Sequence, residues 1–247
     1  NKINVINKRK SILLGANAVI TISENTKKDL LKIYPEISAD KVFVTYLGLE
    51  NKSIKTEITE EINNIFILYI GHREGYKNFK FTLPVLKQIN KKYSVNLVIV
   101  GPKLTQEDRK NFKMYNVDKN IVFVGNISDK ELNLYYQKCL ALMYPSDYEG
   151  FGYPLIEAMS NGAIPVAMNK SSIPEVLGNA GIILKSNNLE SCTNKLIRLI
   201  EEPLFRKQLQ AKSFARVKFF DAKETAKKTS EIYKNLISKR TVKDSDQ

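Results

Sequence analysis

Glu149 and Glu157 stand eight positions apart, with Gly150, Gly152 and Pro154 between them, where an apolar run gives way to a helical pattern. Paired carboxylates accept hydrogen bonds from hydroxyls and repel phosphate. The glycines and the proline rule out one continuous helix across the pair, so only Glu157 rides on a helix, about one turn in. Between the acids lies the opposite chemistry. A helix starting near Pro154 presents unpaired N–H groups and a positive dipole end, which favour an anion and above all a phosphate. A ligand with a diphosphate in its middle and hydroxyls at both ends suits that layout. Two glutamates in isolation would be better explained as a helix-dipole partner and a solvated loop residue.

A second segment changes that balance. Gly71-His72-Arg73-Glu74-Gly75-Tyr76-Lys77-Asn78 follows another apolar run, and Arg73 and Lys77 offer a forked donor and a point charge that can neutralise a pyrophosphate leaving group. His72 is the single histidine, with no neighbour in sequence to orient it as a general base, and is read as structural. Glycine-containing turns also follow later apolar runs at Gly101, Gly125 and Gly162, so several strand ends can converge on one crevice. Cys139 and Cys192 lack any metal-ligand spacing and are read as buried thiols in a reducing cytoplasm.

These segments need a scaffold of alternating strands and helices. Apolar runs at residues 66–70, 96–100, 121–124, 140–144, 163–167 and 181–184 predict strands, several of them continuously apolar as strands buried on both faces should be. Helical patterns near 79–91, 106–114, 129–137, 154–161 and 189–201 separate them, the α/β signature of a Rossmann-like parallel sheet flanked by helices. Ser128 with Glu131, and Ser172 with Glu175, have capping-box spacing. Residues 1–47 read as a smaller unit with strands at 18–22 and 42–46, Ser23 as a helix N-cap and a helix to about residue 33. Residues 48–64 read as a polar linker, 65–218 as the main domain, 219–239 as a terminal helix after a break at 219–221, and 240–247 as a fraying tail.

The composition, 43% apolar and 26% charged, is that of a folded globular chain. No apolar run approaches the roughly 18 residues that cross a bilayer, and the start lacks the regions of a signal peptide. A formal charge of +13 calls for a phosphate-bearing substrate, an anionic membrane surface or nucleic acid as partner. Nucleic acid is disfavoured, because no aromatic platform is interleaved with the basic residues. The first residue is Asn1, and a longer parent chain is the expectation.

Taken in order, six segments resemble the family 4 glycosyltransferases, retaining enzymes of the GT-B fold in which two Rossmann-like domains face each other across a cleft. They are residues 18–23, 71–79, 122–132, 149–157, 162–166 and 171–176, and the likeness spans about 18–238. The resemblance implies that 65–218 is the C-terminal, donor-binding domain, that 1–47 is the end of the N-terminal, acceptor-binding domain, and that the last helix crosses back onto it. It implies a nucleotide-sugar donor, with GDP or UDP, and a glycan or lipid-linked acceptor in cell-surface polysaccharide or lipopolysaccharide synthesis at the inner face of the membrane. Arg73 and Lys77 would bind the donor diphosphate and Glu149 the hydroxyls of the transferred sugar, these three forming the catalytic set. Gly71, Gly150, Phe151, Gly152, Tyr153 and Leu155 would line the sugar and phosphates, Glu157 would hold the ribose, and Asn126 and Ile127 would lie by the base. No cofactor and no metal are implied. Many members carry arginine directly after the glycine, where this chain has His72 and places Arg73 one position later. With most of the acceptor domain outside it, the chain is expected to bind donor and transfer poorly alone. The alternative is a nucleotide-sugar-binding subunit or inactive scaffold that needs a partner chain.

Overall fold

The computed structural model describes residues 2–50 and 65–245, with side chains for 8–50 and 65–238. In chain order the elements are α1 (Lys2–Gly15), β1 (Val19–Thr21), α2 (Glu24–Ile33), β2 (Val42–Val44), β3 (Ile65–Ile70), α3 (Thr82–Ile89), β4 (Val95–Val100), α4 (Gln106–Tyr115) and β5 (Ile121–Gly125). There follow α5 (Asp129–Lys138), β6 (Ala141–Tyr144), α6 (Tyr153–Ser160), β7 (Pro165–Met168), α7 (Ile173–Leu177), β8 (Ile182–Leu184), α8 (Leu189–Glu201), α9 (Pro203–Val217) and α10 (Ala222–Ser245). They form two compact units: residues Lys52–Lys218, and the two chain ends Asn1–Asn51 and Phe219–Gln247 together.

In the larger unit six parallel strands run in the order β5-β4-β3-β6-β7-β8. Counted from its first strand this is 3-2-1-4-5-6, the order of a Rossmann sheet, with the direction of progression reversing between β3 and β6. The continuous apolar runs of β6 and β7 follow from burial on both faces, whereas edge strand β5 leaves Val122 and Phe123 exposed. Ile67 and Tyr69 of β3 join Leu83 and Leu86 of α3 and Leu196 and Leu199 of α8 in the main core, while Phe66 meets the ring of Tyr135 on α5 edge-on at 6.2 Å. The cap at Ser128 forms as a full box with Glu131, and an unforeseen one forms at Thr105 with Asp108. The box expected at Ser172 does not form, because that hydroxyl is committed to another loop.

The smaller unit pairs β1 with β2 in parallel, and the buried Ser23 caps α2 by accepting the Thr26 N–H at 3.0 Å. The sequence reading had no helix before residue 18, yet α1 is present. Its end is held by Lys41, whose ammonium donates to the carbonyls of Leu13, Leu14 and Ala16 at 2.9–3.0 Å, a cation at the negative end of a helix dipole. The break before the last helix lies where expected, but the helix backbone continues to Ser245 through the residues read as a tail. Of the expected linker, residues 51–64 lie outside the described residues. Leu49 instead bridges to Asp221, with Leu49 N–H on the Phe220 carbonyl and Ala222 N–H on the Leu49 carbonyl. Gly48 permits this approach, since a Cβ there would sit 2.3 Å from main-chain atoms of Asp221 and Ala222.

Candidate functional site

The site is built where the sheet changes direction. The loops leaving β3 and β6 are neighbours there although more than seventy residues separate them, and the Asp147 N–H donates to the Tyr76 carbonyl at 2.7 Å to join them. On the β3 side a single 3-10 turn, Gly75–Lys77, ends at Asn78 in the left-handed region with φ 51°, a conformation asparagine tolerates. That turn delivers Lys77 to the second loop, where its ammonium lies 2.8 Å from a Glu149 carboxylate oxygen. The side chains are 18% and 10% exposed, so the pair is shielded but reachable. The same ammonium stands 5.4 Å from the ring centroids of both Tyr76 and Tyr144. Burial first, and the Glu149 charge second, push the Tyr144 phenol far above its ordinary range, so it stays a neutral donor. Its buried hydroxyl makes no strict hydrogen bond among the described residues but lies close enough to the Glu149 carboxylate for that group to raise its pKa.

Directly after this pair the chain turns into α6. Gly152 is the N-cap with φ 94°, and Pro154 lies in the first turn, so no capping side chain covers the helix start. Any residue with a Cβ would be strained at that φ and would press within 3.0 Å of Leu155. Phe151 and Leu155 are buried, and the Leu155 N–H is used on the Gly152 carbonyl at 2.8 Å. Leu155 therefore shapes the site without donating to it. Tyr153 is 39% exposed, and Gly71, at φ 109°, faces open space where a Cβ would point.

One turn into α6, Glu157 is half-buried and accepts the hydroxyl of the fully buried Tyr136 at 3.0 Å. Burial raises the Glu157 pKa above the ordinary carboxylate value, the Tyr136 hydrogen bond lowers it, and the charge of Asp129 raises it. Asp129 opens α5 just after Asn126 and Ile127, so these two stand on the segment whose charge Glu157 feels. They leave edge strand β5, two strands from β3.

Arg73 differs from expectation. Its Nε donates to Asp108 at 2.9 Å and one terminal nitrogen donates to the carbonyls of Pro102 and Lys103 at 2.8 and 2.7 Å. The side chain is 4% exposed, and its other terminal nitrogen is buried without a partner among the described residues. The guanidinium thus ties the loop after β3 to the loop after β4. A cavity of about 450 Å³ opens beside it, lined by Asn78, Lys80, Thr105, Glu107 and Asn111 among others, but not by Lys77, Glu149 or Glu157. His72 is exposed, and its carbonyl accepts the Tyr69 hydroxyl at 2.5 Å. Among the described residues no group of three or more His, Cys, Asp or Glu is placed to hold a metal, and no helix is long and apolar enough to cross a membrane.

Four contributors escaped the sequence reading: Asp108, Tyr136, Tyr144 and Ser171. Asp108 had a usable signal in its capping-box spacing from Thr105. Ser171 opens the segment 171–176 that carries the family likeness, but its bond to Glu149, like the contacts of Tyr136 and Tyr144, acts across the fold and has no sequence spacing.

Residues 50–216 match the family described as Glycosyl transferases group 1. O-antigen chain mannosyltransferase B of Escherichia coli is 25% identical over 238 residues, covering 90% of this chain and 61% of that protein. Sucrose-phosphate synthase from Thermosynechococcus elongatus superposes with a TM-score of 0.82 at 22% identity, over 94% of this chain and 61% of the other. Anabaena Alr3699/HepE in complex with UDP and glucose gives 0.82 at 18% identity, over 93% and 66%. The chain therefore spans about three fifths to two thirds of the length of these proteins, and the two structures establish its fold.

Proposed function

This chain belongs to the group 1 glycosyl transferases, and on that premise we propose that it forms the donor side of a sugar transfer. It holds a nucleotide sugar whose sugar passes, with retention at the anomeric carbon, to a glycan or lipid-linked acceptor in cell-surface polysaccharide synthesis. The observation that carries this reading is the meeting of Lys77 and Glu149, from two distant loops, beside the open N-terminus of α6. That arrangement sets a cation and the positive end of the α6 dipole for a diphosphate next to a carboxylate for hydroxyls.

In this reading Lys77 and the α6 N-terminus stabilise the departing nucleoside diphosphate, which leaves from the face the acceptor enters. No covalent enzyme intermediate and no metal is invoked. Glu149 orients the transferred sugar, Glu157 accepts from ribose hydroxyls, and Asn126 and Ile127 border the base. Arg73 acts by fixing the loop that carries Lys77. Similarity to an O-antigen mannosyltransferase supports a hexose donor and a polysaccharide product, with GDP-mannose the first donor to try. The charge of +13 supports work against an anionic cytoplasmic membrane face.

The test is a thermal-shift panel of GDP- and UDP-sugars on the wild-type chain and on Glu157→Ala. Stabilisation of the wild type by one donor, reduced in the variant, is expected; no stabilisation by any donor would refute the reading. A second reading, a donor-binding subunit completed by a separate partner chain, is favoured by large apolar side chains exposed on the smaller unit: Ile12, Ile20, Ile33 and Phe43. Robust sugar transfer by this chain alone would eliminate it.

A further inference from the structure

Glu149 sits in an irregular loop, yet both of its main-chain polar groups are gripped by two consecutive serines that follow β7. Its N–H donates to the Ser171 hydroxyl oxygen at 2.7 Å, and its carbonyl accepts the Ser172 hydroxyl at 2.8 Å. Ser172 is fully buried and does not cap the helix it precedes. Ser171 holds φ 46°, in the left-handed region that residues other than glycine and asparagine avoid. Strain of this kind persists where the surroundings over-determine it and clusters at ligand sites.

We propose that Ser171 and Ser172 are positioning residues that aim the Glu149 carboxylate at the sugar end of the donor, an inference that rests on the donor-binding reading above. Fixing both the N–H and the carbonyl of one residue fixes the direction in which its Cα–Cβ bond leaves the loop. A carboxylate that must meet particular hydroxyls requires placement to roughly 0.5 Å. Without ligand, Lys77 also restrains the carboxylate. Once Lys77 turns to the diphosphate, the serines become the grip that keeps Glu149 in register with the sugar. The pair therefore acts on recognition of the sugar and not of the nucleoside diphosphate.

Isothermal titration of the full chain with UDP, GDP, UDP-glucose and GDP-mannose tests this. For the nucleotide that binds the wild type, Ser172→Ala should weaken the nucleotide sugar about fivefold, the loss expected from one neutral hydrogen bond to the main chain of Glu149. The parent diphosphate should stay within about twofold. Ser172→Thr, which keeps the hydroxyl, should recover the sugar affinity. Ser171→Gly guards against misfolding, because it relieves the positive φ while deleting the acceptor oxygen. It should melt no lower than the wild type and still lose affinity for the sugar form. Equal weakening of sugar and diphosphate forms, or no change in either, overturns the proposal while leaving donor binding intact. Failure of the wild type to bind any of the four overturns the donor-binding reading itself, and this inference with it.

Discussion

If the resting Lys77–Glu149 pair must open before a diphosphate can engage Lys77, neutralising Glu149 should tighten the binding of a bare nucleoside diphosphate. At 2.8 Å two unit charges attract by about 6 kcal/mol at an effective dielectric near 20. Desolvation of the two largely covered ions offsets most of that, leaving a net worth on the order of 1 kcal/mol. Glu149→Gln removes the charge and keeps the shape, so the diphosphate that binds the wild type should bind about fivefold more tightly. The corresponding nucleotide sugar should gain less or lose, since the variant also gives up charged hydrogen bonds to sugar hydroxyls. Lys77→Met removes a charged donor worth about 1.5–3 kcal/mol and should weaken both ligands by roughly 10- to 150-fold. Calorimetry on the two single variants and the double variant closes the cycle. In the absence of Lys77 the Glu149 substitution should no longer improve diphosphate binding by relieving an ion pair. Weaker diphosphate binding by Glu149→Gln, by the same factor as the nucleotide sugar, would refute the exchange of partners.

Four further outcomes follow, three from the site and one from the core. Arg73→Lys should lower stability by about 3 kcal/mol in urea unfolding, because lysine cannot reproduce the fork that serves Asp108 and two carbonyls and leaves a buried carboxylate poorly paired. Glu157, with its pKa raised chiefly by burial, should lose donor affinity on acidification at a pH above the ordinary carboxylate value of about 4.3. For stability the sign runs the other way. A carboxyl whose folded pKa is raised stabilises most fully below the unfolded pKa, and that contribution is lost as pH rises through the folded one. The melting temperature of Glu157→Gln relative to wild type should therefore climb across that window, and a flat difference would contradict the burial argument. Burial pushes the Cys192 thiol up to about 12, so it should react with a disulfide reagent at pH 8 far more slowly in the folded protein than after unfolding.

The parts legible in the sequence were those written locally. Strands such as β3, buried on both faces, spell themselves as apolar runs, and caps at Ser23 and Ser128 need only a partner three positions on. The segment entering α6 was legible because glycine, proline and acid fall within a few residues of each other. What stayed hidden depends on chain crossings. Arg73 looked like a free cation until Asp108, 35 residues on, was brought against it. Ser172 looked like a cap until Glu149, 23 residues before it, claimed its hydroxyl. Lys77 and Glu149 were each noticed, but their contact across 72 residues is a property of the sheet order and has no sequence spacing.

The smaller unit is assembled from both ends of the chain, and this sets an order of events during synthesis. The Thr225 hydroxyl donates to the Tyr46 carbonyl across 179 residues, next to the main-chain bridge at Leu49 and Asp221. On the ribosome the first fifty residues emerge long before their partner helix exists. The larger unit, continuous in sequence, completes its sheet while the last segment is still being made. The pairing of residues 46–49 with the start of α10 forms only once α10 has been made, so a chain stopped before residue 219 carries a finished parallel sheet and an unpaired segment at Leu49. A protease should therefore cut near Leu49 in the stopped chain and spare that segment in the full one.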